Sequence, residues 1–211
     1  MSVPANYFDR GKPFYPLVMI YISQLLGLKE LMVRGLIGPR KITDGDIARA
    51  AALEAGSAVP DVLSTLRTSI EKLLGPLELR SEFNGNYIIV DADEFGRELV
   101  QNHAFLLPYY IRAASSLLVL AHEITKGRPY RDTGVLWEFL RHCRNGATHN
   151  GLFHFSPKEP SRPAEWGIFK IEVALQGSPV LKDEAGAGLL SLGDPIRLLW
   201  DIEQAYPGMA V

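Results

Sequence analysis

The chain has 211 residues, 47% hydrophobic and 22% charged, enough apolar matter for a packed core, which excludes wholesale disorder. Its 22 basic and 24 acidic side chains leave a net charge of −2, which excludes coating nucleic acid by bulk charge but not a local basic patch. The single cysteine, Cys143, excludes an internal disulfide framework and a multi-cysteine zinc site.

The opening residues, MSVPANYFDRGKP, lack the basic start and apolar run of a secretory signal. Residues 14–34 read as a long, strongly apolar helix punctuated by Gly35, Gly38 and Pro39. Its candidate membrane stretch, residues 17–28, is 12 residues long and contains Ser23 and Gln24. A bilayer span wants roughly 20 residues, so the expectation is no membrane and a cytoplasmic setting. A different texture follows. ITDGDIARAAAL predicts a short capped helix, and VPDVLSTLRTSIEKLLG an amphipathic one with Val62, Leu66, Ile70 and Leu73/Leu74 at helical spacing. LELRSEF and NYIIV then flank Asn84-Gly85, a hairpin signal.

Helix, helix and hairpin in that order resemble a winged helix, with residues 61–75 in the recognition position. Residues 42–90 carry four basic and seven acidic side chains, a balance poorly suited to a phosphate backbone. Helices return over residues 91–103, from Pro108 to Gly127, and from Thr133 to Asn150, with the basic turn GRPYRD between the last two. Residues 152–165 form a proline-rich loop, WGIFKIEVAL alternates as a strand, and residues 176–193 are glycine-rich, with a partner strand around Val180 or Leu189. Asp194-Pro195 marks a capped start for the last helix, which Pro207-Gly208 closes.

The densest polar cluster is Arg141-His142-Cys143-Arg144-Asn145-Gly146-Ala147-Thr148-His149-Asn150. At about 100° per residue, Leu136, Leu140, Cys143 and Ala147 share an apolar arc, while Arg141, His142, Arg144, Asn145, Thr148 and His149 occupy the opposite one. Residues 126–150 hold five basic and two acidic side chains, the one basic neighbourhood of a near-neutral chain.

Arg144-Asn145-x3-His149 resembles the R-x4-6-H motif of the HEPN superfamily, helical-bundle domains of which many are metal-independent ribonucleases in toxin–antitoxin and phage-defence systems. About one bare match is expected by chance in such a composition, and Arg97 to His103 supplies one. The family's polar residue after the arginine is present only at Arg144, as Asn145. The resemblance implies that His149 moves protons as acid/base, that Arg144 clamps the phosphate, and that Asn145 orients either group. Thr148, Arg141 and His142 would support them. It further implies a homodimer sharing one cleft, an RNA substrate or nucleotide, an antitoxin protein as partner, and no cofactor or metal. Arg144 and His149 lie about 140° apart on an ideal helix, so they converge only if the last turn unwinds, for which Gly146 and Gly151 are placed.

Rival readings of these residues are weaker. Cys143 falls on the apolar arc and reads as core. Zinc on His142, His149 and His154 lacks a carboxylate or cysteine at suitable spacing. His122-Glu123 lacks a second histidine downstream and reads as helix surface. Gly186-Ala187-Gly188 reads as a turn, and Trp137, Trp166 and Trp200 as packing. The expected protein is mainly α: a HEPN-like helical bundle over 1–37 and 91–211, with β-hairpin elaborations and a winged-helix-like insert over 38–90. A metal-independent endoribonuclease leaving 2′,3′-cyclic phosphate ends is the favoured function. Two others stay open: a non-catalytic module of the same type that binds nucleotide, RNA or a partner protein, and a DNA-binding regulator.

Overall fold

A computed structural model describes residues 8, 10–38, 45, 76–81 and 86–209. In chain order it contains α1 (Phe14–Ile37), β1 (Leu77–Arg80), β2 (Tyr87–Val90), α2 (Ala92–Gln101), α3 (Leu106–Thr125), α4 (Val135–Thr148), β3 (Glu165–Trp166), β4 (Phe169–Lys170) and α5 (Asp194–Ala205). The described residues are mainly α-helical, with only two small two-stranded sheets. The chain divides into two compact units, Met1–Leu26 with Ala104–Val211, and Gly27–His103.

In the first unit α3 and α4 form the central pair. Nine residues join them, too few for anything but an antiparallel return. Leu117, Leu118, Ala121 and Thr125 recur at helical spacing on the buried face of α3. They face Trp137, Phe139, Leu140 and Cys143 of α4, and Leu198, Leu199 and Ile202 of α5 complete the layer. The first turns of α1 add Phe14, Val18 and Tyr21, all buried. Phe153, Ile171, Val180, Leu181 and Leu190 seal the remaining side from irregular chain.

Two expectations change here. The strand over WGIFKIEVAL is broken: Trp166 pairs with Phe169 across a tight turn, because Gly167 adopts φ +58 and reverses the chain. A single 3-10 turn, Val173–Leu175, replaces the rest. Asp194 does not cap α5 from outside. It is the first helical residue, and its carboxylate instead accepts from the Ser191 N–H at 2.6 Å.

In the second unit β1 and β2 pair antiparallel in the register Leu77↔Val90 to Arg80↔Tyr87. Asn84 and Gly85, like all but one residue of the helices expected over 42–53 and 59–75 and so the winged-helix reading, lie outside the described residues. Asp91 caps α2 by accepting from the N–H groups of Asp93 and Glu94 at 2.8 and 3.1 Å. The end of α1 meets α2 backbone to backbone: a Cβ on Gly35 would lie 2.2 Å from the Gly96 carbonyl oxygen. Arg34 fixes the crossing by pairing with Asp93 at 2.6 Å.

The apolar stretch counted at 12 residues is part of a 24-residue helix, because Ser23, Gln24, Lys29 and Glu30 do not interrupt α1. By length and composition α1 is therefore long and apolar enough to cross a membrane, a test that helices packed into a core also pass.

Candidate functional site

The histidine end of the motif is set by how α4 stops. His149 is its C-cap and donates its backbone N–H to the carbonyls of Asn145 and Gly146, both at 3.0 Å. Asn150 and Gly151 follow in the left-handed region, at φ 57 and 80, and turn the chain away. The last turn is thus closed, not unwound, and Thr148 tightens it by donating its hydroxyl to the Asn145 carbonyl at 2.8 Å. Gly146 does not loosen the helix either. A Cβ there would lie 2.3 Å from Cγ2 of Val180, so the glycine lets residues 179–180 lie directly against α4.

Arg144 reaches across to α3. Its Nε and Nη2 donate to one carboxylate oxygen of Glu123 at 3.0 and 2.6 Å, and Nη1 donates to Asn145 Oδ1 at 3.2 Å. Three of the five guanidinium N–H donors are thereby engaged, leaving two for a ligand. The Arg144 guanidinium in turn holds the Glu123 carboxyl below the usual carboxylate range. His122 Nδ1 lies 3.2 Å from the same carboxylate oxygen. Burial, then the positive charge of Arg131, pushes its pKa down to about 4, so at neutral pH the contact is an N–H donated by neutral imidazole. Arg131 donates to the His122 carbonyl at 3.0 Å and stacks over Trp137. His122-Glu123, expected as plain helix surface, is therefore the wall on which Arg144 rests.

Arg141 and His142 are committed elsewhere. Arg141 bonds Glu138 through Nε and Nη2 at 3.0 and 2.9 Å, and Glu159 through Nη1 at 2.6 Å. His142 was expected on the solvated arc but is 1% exposed, its ring edge-on to Phe155. Position 142 faces the loop that returns over α4, a burial that helical spacing does not reveal. Arg141 Nη2 sits 3.0 Å from His142 Nε2, and a guanidinium only donates, so Nδ1 carries the ring hydrogen. Burial lowers the pKa of this imidazole and keeps it neutral. The same burial pushes the Cys143 thiol up, an inert core sulfur.

His149 is exposed and has a companion. Its ring lies 4.8 Å, centroid to centroid, from that of His154, tilted by 33°. Arg144 turns to Glu123 and Asn145, and His149 to His154. The motif splits into an arginine–carboxylate cluster, Arg144 with Asn145, Glu123 and His122, and an imidazole pair at the helix end. Sequence reasoning treated His154 only as a rejected zinc ligand; the signal that could have raised it is its position just past the left-handed turn at Asn150 and Gly151. The local charge also shrinks. Counting Glu123 and Glu159 with residues 126–150 turns five basic against two acidic into five against four. Among the described residues no group of three or more histidine, cysteine or carboxylate side chains converges. No family model matches the chain, and neither a curated protein nor a solved structure matches it.

Proposed function

We propose that the protein is a metal-independent endoribonuclease of the HEPN type, acting in the cytoplasm as a toxin or defence component under the control of an antitoxin protein. The observation that carries the reading is the pair of imidazoles at the end of α4, His149 and His154, one helical turn beyond a guanidinium with spare donors. Cleavage of RNA by its own 2′-hydroxyl needs a base for that hydroxyl, an acid for the leaving 5′-oxygen, and a cation for the charge that grows on the phosphoryl oxygens. His149 takes the 2′ proton as the O2′–P bond forms and the P–O5′ bond breaks. His154 returns a proton to O5′. Arg144 meets the phosphoryl oxygens with the donors that Glu123 leaves free. The products are a 2′,3′-cyclic phosphate and a 5′-hydroxyl, and DNA, lacking the nucleophile, is inert.

The test is purified protein on single-stranded RNA, with and without chelator, beside Arg144→Ala and His149→Ala. Cleavage that persists in chelator and disappears in both variants supports the reading. Cleavage that needs added metal, or that survives both substitutions, rejects it. The Arg144–Glu123 ion pair favours a second reading, a non-catalytic module of the same type that binds nucleotide, RNA or a partner protein, since the carboxylate offsets the charge that Arg144 would bring to the phosphoryl oxygens. Ligand binding without cleavage of any RNA selects that reading.

A further inference from the structure

A groove of about 300 Å³ opens between α3 and α4. Arg112, Ser115, Ser116, Val119 and Leu120 of α3 form one wall, and Ala147 of α4 forms the other. Ala147 lies between Arg144 and His149 in sequence, on the apolar arc of α4 next to the polar one that carries them. Arg112 supplies the cation of this lining. In the first unit Arg141, Arg144, Arg162 and Arg197 are each bonded to a carboxylate, whereas Arg112, like Arg10 and Arg128, has no acidic partner among the described residues. Its backbone carbonyl accepts from the Ser116 hydroxyl at 2.9 Å. Val119, Leu120 and Ala147 make the apolar part of the lining, and Leu120 keeps 45% of its surface exposed. From Arg112 to Glu123 the helix rises about 16 Å, the reach of a few nucleotides of extended strand.

We propose that this groove binds a single-stranded ribonucleotide chain, with Arg112 on a backbone phosphate flanking the cleaved one and Val119 and Leu120 under a base. The proposal rests on the ribonuclease reading for the identity of the strand, and extends it to a binding site that the motif does not contain. One free guanidinium, two hydroxyls and an aliphatic floor match the composition of a nucleotide: charge at one end, polar sugar, flat apolar base. The size selects the single strand. A groove of about 300 Å³ has room for one unstacked base, which single-stranded or looped RNA presents.

The experiment measures, by fluorescence anisotropy, the affinity of the full chain for a short single-stranded RNA with 2′-O-methyl riboses, whose nucleophile is blocked. Parent, Arg112→Gln, Arg112→Lys and Leu120→Glu are compared at two salt concentrations, with cleavage of unmodified RNA assayed in parallel. Arg112→Gln should weaken binding about tenfold and lower the salt slope by about 0.7, the share of one phosphate contact. Arg112→Lys should keep most of the affinity, and Leu120→Glu should lose it. In cleavage, Arg112→Gln should raise KM with little change in kcat. Binding by the parent that Arg112→Gln leaves intact overturns the groove even if cleavage is robust. Loss of binding in Arg112→Gln with no cleavage by the parent keeps the groove and rejects the ribonuclease. A parent that binds no single strand, or binds duplex equally well, overturns the proposal.

Discussion

Arg144 shows how one residue can be polar, surface-placed and still not free. It sits on the polar arc of α4, with 30% of its side chain exposed, and is held by a carboxylate that is itself 38% exposed. Such a pair contributes little to stability, because water screens both charges and ordering two long side chains costs entropy. Arg144→Ala and His149→Ala should therefore leave the unfolding free energy within about 1 kcal/mol of the parent in urea denaturation. Leu140→Ala, in the buried layer, should cost about 2–5 kcal/mol. Unfolding by either polar substitution would make the cluster structural. The buried histidines act in the opposite sense. His122 has a folded-state pKa near 4 against an ordinary value of 6.5, so between those pH values the unfolded chain binds a proton that the folded chain refuses. The stability this contributes is complete above about pH 6.5 and is lost as the pH falls toward 4, by up to about 3 kcal/mol for His122. Buried His142 adds to the loss in the same direction. Urea midpoints at pH 7 and pH 5 measure it, and His122→Gln should flatten the difference. A midpoint that rises on acidification would contradict the neutral assignments.

The stop of α4, not its body, creates the candidate site. Asn150 and Gly151 in the left-handed region end the helix at His149, and the returning strand of chain brings His154 beside it. That return also brings Val180 onto Gly146. Adding the methyl group of Gly146→Ala would force Val180 away and should cost about 1–3 kcal/mol, as overpacking of a tight contact does. Combining it with Val180→Ala should recover much of the difference, read as non-additivity in a double-mutant cycle. Additive losses would mean the close contact is not what Gly146 supplies. The crossing of α1 and α2 at Gly35 and Gly96 follows the same logic with backbone on both sides, so no side chain can yield there.

Assembly is the question at the scale of the whole molecule. A motif on the end of one convex helix cannot enclose a substrate, and the first unit leaves Met19, Ile20 and Leu26 of α1 exposed. For the proposed ribonuclease we expect a two-fold dimer that sets both copies of residues 144–149 in one groove, so that each strand of RNA meets two sets of donors. Sedimentation at micromolar concentration reads the mass directly. A monomer that cleaves RNA would reject the shared groove and leave the pair His149 and His154 sufficient by itself.

What the sequence determined is what depends on neighbours within a few residues. Apolar spacing placed the long first helix, the helix toward Gly127, the helix through Arg144 and the last helix, and assigned Leu140 and Cys143 to the buried side. Punctuation by Asp91, Gly127 and Gly151 located helix ends, since caps and left-handed turns are local chemistry. The tertiary structure alone decided who meets whom. It paired Arg144 with Glu123, 21 residues upstream on another helix, and buried His142 under Phe155 of a returning loop. It also spent Gly146 on a contact with Val180, where periodicity suggested a loosened helix end. Helical periodicity reports which face a side chain occupies, but not what the rest of the chain brings to that face. Charge balance over a window likewise counts ions along the backbone and misses those that arrive through space, which is how Glu123 and Glu159 cut a local charge of +3 to +1.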